Sequence, residues 1–422
     1  MKAKISSFRT GRVCLIAGIV MLGVACQFFP LPNDVKEYLE QRAEPVSIDA
    51  SVPQNIVSFD SYLYRSRVLL LGEHHSTANN FKLFLTLFKS LKNRGMPIQI
   101  VCELGYGCSR VINRYLRTGD ETCLIYIMNN LLRTSIGNNE FFHFLKQFRI
   151  LNEELPEGEK AYFWGIDIEH QVDLALFEVS LLVSENQTQM QPEGLAPLSE
   201  LVSVLLDSRF NRSVYPSGHV ERIKSFFYTL GGEIEKKEDE YRVFLGSHYQ
   251  DFAWIVFGAN ASSTYFSEGQ SDDFREEFMY KQFLGIHGKL SGDPLLLGLF
   301  GDAHTQKKSH RFVTIAQMLD SRSDSPVKNR VECMQLFYLD SFKMDRDSGA
   351  IEEINHSFQN QLREFSRGPA TVFSLDEDGS PFREGCYLVF GQYRTGNWNT
   401  TDYFDLMAIL TGSPACTLWR AQ

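Results

Sequence analysis

The sequence predicts an α/β protein: a largely parallel sheet flanked by helices, with a mostly helical subdomain inserted into it. Three observations carry that prediction. Four short runs are mainly apolar, interrupted by a polar residue only at Gln99, which is the pattern of strands buried on both faces. Amphipathic stretches at helical spacing lie between them, as in units that build a parallel sheet. A long region, about 172–284, has helix signals and few strand signals, so it reads as the insertion.

The first strand is Val68-Leu69-Leu70-Leu71, followed by the polar turn Gly72-Glu73-His74-His75. Residues 81–91 then place apolar side chains at 81, 84, 85 and 88, a helical spacing. The second strand, 98–101, ends at Cys102-Glu103, and the third, 162–164, runs into Gly165-Ile166-Asp167-Ile168-Glu169-His170. In the insertion, 174–182, 198–206, 220–230 and 244–257 read as helices, and the charged, Gly-initiated stretch 231–240 reads as a connector. The fourth strand, 295–300, ends at Gly301-Asp302-Ala303-His304. Beyond it, 333–339, 370–375 and 386–390 return to β character.

The N-terminus reads as an address. Lys2, Lys4, Arg9 and Arg12 precede an unbroken apolar run, 13–25, that ends at Cys26. About 20 apolar residues are needed to span a bilayer, so the run is short for that purpose. Three readings stay open: a cleaved signal, a lipoprotein signal with Cys26 lipidated, or an uncleaved anchor. All place the body outside the cytoplasm, tethered in the bacterial cell envelope if the segment is retained or lipidated. Residues 1–26 are thus signal or anchor and 27–60 a tether with a short helix near 35–42. Residues 61–422 form the folded body.

The 422 residues carry a formal net charge of −10, an acidic balance that argues against a nucleic-acid partner. There is no P-loop and no complete dinucleotide-binding glycine motif. Past Cys26, the cysteines are Cys102, Cys108, Cys123, Cys333, Cys386 and Cys416, with no zinc-type spacing. An exported chain permits disulfides, so a mixture of paired and buried thiols is expected. His143, in an aromatic stretch at helical spacing, reads as a packing residue.

The chemistry concentrates at strand ends. Glu73, His74 and His75 follow the first strand, Glu103 the second, Asp167, Glu169 and His170 the third, and Asp302 and His304 the fourth. Ligands of open parallel sheets bind outside the carboxyl ends of the strands. If these strands are neighbours, their ends form one cleft that suits water activation. A histidine takes the proton, a carboxylate such as Glu73 or Glu103 orients it, and a second His or an Arg stabilises the oxyanion. The alternative for each group is a helix cap or a solvated loop. No nucleophile elbow is present, and the strand pleat turns Cys102 away from Glu103, as a core thiol. A divalent metal is possible but has no local ligand spacing.

At these residues the sequence resembles the erythromycin esterase-like family, within the erythromycin esterase/ChaN-like superfamily. The likeness is an ordered series: 68–75, then Cys102-Glu103 followed by Val111-Ile112-Asn113-Arg114-Tyr115-Leu116, then Asn139-Glu140 through Arg149 and Asn152. Gly165-Ile166-Asp167, Phe274-Arg275-Glu276-Glu277-Phe278-Met279, Gly301-Asp302-Ala303-His304 and Tyr403-Phe404-Asp405 complete it. The turn Glu73-His74-His75-Ser76 is one residue shorter than in macrolide-inactivating members and closer to the ChaN-like Gly-Glu-x-His pattern, which makes His75 the matching histidine.

The resemblance implies a hydrolase of ester or related bonds acting by direct water attack on a small-molecule substrate. His75 would be the base, Glu73 and Glu103 would orient it, and Arg275 and His304 would complete the catalytic set. His74, Asp167 and Glu169 would bind substrate. That reading requires no cofactor. The ChaN-like relatives imply the alternative, a haem- or iron-binding envelope lipoprotein, and an inactive scaffold is a third possibility.

Overall fold

A computed structural model describes residues 30–420 except 53, 187–189 and 393–396. The expected signal or anchor, with Cys26, lies outside the described residues.

Ten strands form among the described residues: β1 (Glu44–Val46), β2 (Val68–Glu73), β3 (Ile98–Gly105), β4 (Phe163–Asp167), β5 (Leu295–Gly301), β6 (Val331–Leu339), β7 (Phe342–Met344), β8 (Ile351–Glu353), β9 (Ala370–Ser374) and β10 (Leu406–Thr411). Eight of them make one sheet in the order β1-β9-β10-β6-β2-β5-β3-β4, and β7 and β8 make a separate hairpin. From β10 to β4 the strands are parallel, while β9 and β1 join antiparallel at one edge. Every residue of β2, β6 and β9 is buried, as both-face coverage by helices requires.

The order of the central strands sets the site. After β2 the chain passes to β3 and β4 on one side. It then returns through the helical insertion to lay β5 between β2 and β3, and crosses to β6 on the far side of β2. The four polar strand ends therefore stand side by side in the order β2, β5, β3, β4. The insertion comprises the helices Val172–Ser184, Leu198–Asp207, His219–Lys236, Glu238–Leu245, Tyr249–Ser267 and Asp272–His287.

One side of the sheet is covered by the helices Ala78–Asn93 and Asn139–Glu153, whose phenylalanines meet β4: Phe88 and Phe148 rings lie 4.7 Å apart, and Phe148 and Phe163 5.0 Å. His143 sits on the opposite, solvent face of its helix and is exposed, not packed.

Several expectations are corrected. The tether is built into the body: the helix Asn33–Arg42 buries Val35 and Leu39 completely, and β1 pairs with β9. An amphipathic helix with two core contacts and a strand partner has no freedom to act as a spacer. The connector 231–240 is mostly helix, because His219–Lys236 runs through Gly231 and Gly232 and breaks only at Lys237. Gly231 is there for closeness: a Cβ would sit 1.9 Å from the Asn260 amide. Residues 386–390 form no strand, since Leu388 takes a left-handed φ of 58°. The strand role belongs to β10. No disulfide forms among the described residues, and Cys102, Cys108, Cys123, Cys333 and Cys416 are buried.

Candidate active site

Glu73 is the last residue of β2, and His75 lies two positions on, in the turn that follows. His75 Nδ1 is 2.5 Å from Glu73 Oε1. The second Glu73 oxygen accepts from the Asn80 amide, which also donates to His74 O at 2.9 Å. Tyr338 of β6 completes this support: its hydroxyl donates to Asn80 Oδ1 at 2.9 Å and accepts from His74 N at 3.0 Å. Ser76 then takes a left-handed φ of 64° and turns the chain toward the helix Ala78–Asn93. Two glycines permit this packing. A Cβ on Gly72 would lie 2.2 Å from Thr305 Oγ1, and one on Gly301 would lie 3.0 Å from His75 Nε2.

From β3 comes Glu103. The ladder between β3 and β4 pairs Cys102 with Gly165 and Gly105 with Asp167, so β3 carries one extra residue there. Such a bulge re-aims a side chain, and here it lies at Glu103. Glu103 Oε2 accepts from Gly301 N at 2.8 Å, and its Oε1 accepts from Arg275 Nη2 at 2.7 Å. Cys102 is buried, and burial pushes its thiol well up, which suits a core thiol and not a nucleophile.

Arg275, on the last helix of the insertion, bridges two strand ends. Its Nε donates to Asp167 Oδ1 at 2.9 Å, its Nη2 reaches both Asp167 and Glu103, and its Nη1 lies 3.3 Å from His304 Nε2. His304 stands behind this group. Its Nδ1 bonds to the fully buried Glu276, and its Nε2 lies 3.3 Å from Glu103 Oε1.

The electrostatics follow from these contacts. Burial alone would lower the His75 pKa, but the carboxylates of Glu73 and Glu103 outweigh it and raise it to about 9. His304 is opposed by burial in the same way and is raised to about 10 by Glu103 and Glu276. Burial works to raise Glu103, yet His304, Arg275 and His75 hold it well below the usual carboxylate range. Asp167 is depressed too, its burial overcome by Arg275 and His170. At neutral pH the resting site is therefore a neutralised lattice of ions with His75 protonated.

These groups floor a cavity of about 1090 Å³. Glu73, His75, Glu103, Arg275 and His170 line it, and the walls come from loops near 132–136, 211–213 and 346–347 and from Leu418 and Trp419. His304 and Asp167 lie beneath the lining and hold Arg275. His170 bonds to Asp167 at 3.0 Å and meets Phe266 edge-on at 5.5 Å. His74 is turned away from the cavity, with its ring edge-on to Tyr338 at 5.3 Å. Glu169 is completely buried and accepts from Gly107 N at the start of the helix Tyr106–Thr118, so it serves the fold there. Burial raises its pKa to about 8.

Asn80, Tyr338 and Glu276 were not found from the sequence. Glu276 had a signal, since it follows Arg275 directly and a buried helix rarely carries two adjacent charges without a shared partner. Among the described residues no three His, Cys, Asp or Glu side chains are arranged to hold a metal ion. Toward a haem iron, His75 would offer only Nε2, because Nδ1 is taken by Glu73.

A doubly covered parallel sheet with a His/Glu/Arg cleft at its strand ends defines an α/β protein with a charged cavity at one end of the sheet. More particularly, the chain has the erythromycin esterase-like fold. It superposes on an erythromycin esterase, a mutant of EreC in its open conformation, with TM-score 0.57 at 14% identity, over 88% of this chain and 98% of that one. A Bacillus cereus protein matches with TM-score 0.65 at 15% identity, over 93% of this chain and 100% of that one. A succinoglycan biosynthesis protein matches with TM-score 0.61 at 12% identity, over 92% and 98%. No protein-family model and no curated protein matches the chain in sequence.

Proposed function

We propose that the protein is a hydrolase of an ester or related bond that uses water activated by His75 and forms no covalent intermediate. The observation that supports this best is the Glu73–His75 pair on the floor of a cavity, beside the Arg275 guanidinium. In the step proposed, neutral His75 takes a proton from water through Nε2 while Glu73 holds Nδ1 and stabilises the imidazolium. The hydroxide oxygen bonds to the carbonyl carbon, and Arg275 faces the oxygen on which charge develops. Collapse breaks the bond to the leaving alkoxide, which takes the proton back from His75. Glu103 and His304 fix Arg275, and no cofactor enters.

The basic and apolar N-terminus supports an envelope location, with the membrane met through residues 1–26 and a small molecule as substrate. If Cys26 is lipidated, labelled palmitate enters the wild-type protein and not Cys26→Ala. The catalytic reading is tested with His75→Ala against a broad panel of esters. Turnover by the wild type and its loss in a folded variant is expected. A wild type inert across the panel would overturn the reading, and a Soret band on haemin titration that disappears in His75→Ala would replace it with haem binding.

A further inference from the structure

The charged groups that line the cavity are matched, with one exception. Glu73 is paired with His75, Glu103 with Arg275, and His170 with Asp167. Arg212 makes a two-pronged contact with Asp173, Nε to Oδ2 at 2.9 Å and Nη2 to Oδ1 at 3.1 Å. Arg346 and Asp347 face each other at 4.0 Å. Arg133 lines the same cavity, is exposed, and has no acidic partner among the described residues. In a chain of net charge −10 that is an unusual place for an uncompensated cation.

Arg133 is also held in place. It takes a left-handed φ of 64°, a backbone conformation that a residue with a Cβ adopts only at a steric cost. The turn around it is closed by Thr134 N on Leu131 O at 3.0 Å and tied to the catalytic turn by Ser76 Oγ, which donates to Ser135 O at 3.0 Å. A strained backbone at a cavity-lining arginine that has no acidic partner among the described residues is a built feature. Beside it, Asn130 is 2% exposed and also lines the cavity. Its Nδ2 is spent on Asp173 Oδ2 at 2.8 Å, which fixes the amide, and its buried Oδ1 has no partner. Such an acceptor is met only by a donor elsewhere on the ligand, since an ionised oxyanion offers none.

We infer that the substrate carries an oxyanion group, a carboxylate, phosphate or sulfate, which Arg133 binds at the cavity wall while the scissile bond lies over His75. The site is divided accordingly: on the floor Glu73 and Glu103 are already paired with His75 and Arg275, whereas the Arg133 guanidinium on the wall has no acidic partner among the described residues and is open to an anion. This rests on the proposed hydrolase reading and names its substrate class, with Arg133 as the specificity residue.

The test uses two esters of equal acyl length, 4-nitrophenyl butyrate and mono-4-nitrophenyl succinate, with the full chain. The wild type should prefer the succinate by about tenfold or more in kcat/KM, expressed in KM, since a charge-assisted hydrogen bond is worth about that factor. Arg133→Ala and Arg133→Gln should bring the ratio near one, and Arg133→Lys should keep part of it. Calorimetry with the amide analogues N-phenylsuccinamic acid and N-phenylbutyramide reads the same preference without turnover. Equal turnover of both esters with equal amide binding overturns the inference and leaves the hydrolase reading intact. No turnover with selective, Arg133-dependent succinamic acid binding overturns the hydrolase reading and leaves the anion site. Failure of either amide to bind selectively, with or without turnover, overturns the anion site.

Discussion

Glu73 Oε1 lies 2.5 Å from His75 Nδ1, so the imidazole is fixed by the residue two positions before it and presents only Nε2 to the cavity. The same contact helps to raise the His75 pKa to about 9. Replacing Glu73 with Gln removes the first of the carboxylates that raise it, and burial then pulls the histidine down. The alkaline limb of kcat/KM should move to lower pH in Glu73→Gln. The limiting rate should fall by about 10²–10⁴, as for a mis-oriented catalytic imidazole. A pH–rate series on both proteins checks the two effects separately.

Gly301 is the second control on His75. Its φ of −53° suits any residue, but a Cβ would stand 3.0 Å from His75 Nε2. Gly301→Ala should therefore leave the melting temperature nearly unchanged and reduce kcat by about 10²-fold, the effect of a displacement of about 1 Å. Thermal melts and steady-state kinetics together decide it.

Arg275 holds the structure as well as lining the cavity, because it satisfies two carboxylates, the buried Asp167 and the largely buried Glu103. Removing one partner of a buried pair costs about 3–5 kcal/mol, so Arg275→Ala should lose that much stability in urea denaturation. Arg275→Lys keeps the charge but cannot span both acids, and should recover stability more than activity.

Tyr338 reaches the site only through Asn80 and His74 N. In Tyr338→Phe both contacts are lost inside the core, at about 1–3 kcal/mol of stability. Activity should fall about tenfold or more, in the range seen when a supporting partner of a functional group is lost. A normal kcat in that variant would remove Tyr338 from the supporting set.

The folded body begins before residue 61. Leu39 is completely buried, so Leu39→Ala should cost about 2–5 kcal/mol in denaturant unfolding, whereas a residue in a tether would cost nothing.

The sheet and its insertion were legible because both-face burial writes a nearly unbroken apolar run into β2 and β5, and because helical spacing survives in the insertion. The adjacency of the four strand ends was not written in any one segment. It arises from β5 entering between β2 and β3, a long-range pairing that local periodicity does not encode. The choice between His74 and His75 rested on the resemblance to a Gly-Glu-x-His pattern, and the structure turns His75, not His74, to the cavity. Glu169 misled for a related reason: a polar residue just past a strand end meets the neighbouring helix start as readily as the cleft. The edge formed by β1 and β9 was hidden because a three-residue strand is too short to show a period.

If His75 is the base and its proton is held by Glu73 and Glu103, the pH dependence of kcat/KM for a hydrolysed ester reads its ionisation. It should rise with pH through one ionisation near 9, absent in His75→Gln. A profile flat from pH 6 to 10, or the same alkaline limb in His75→Gln, would contradict it.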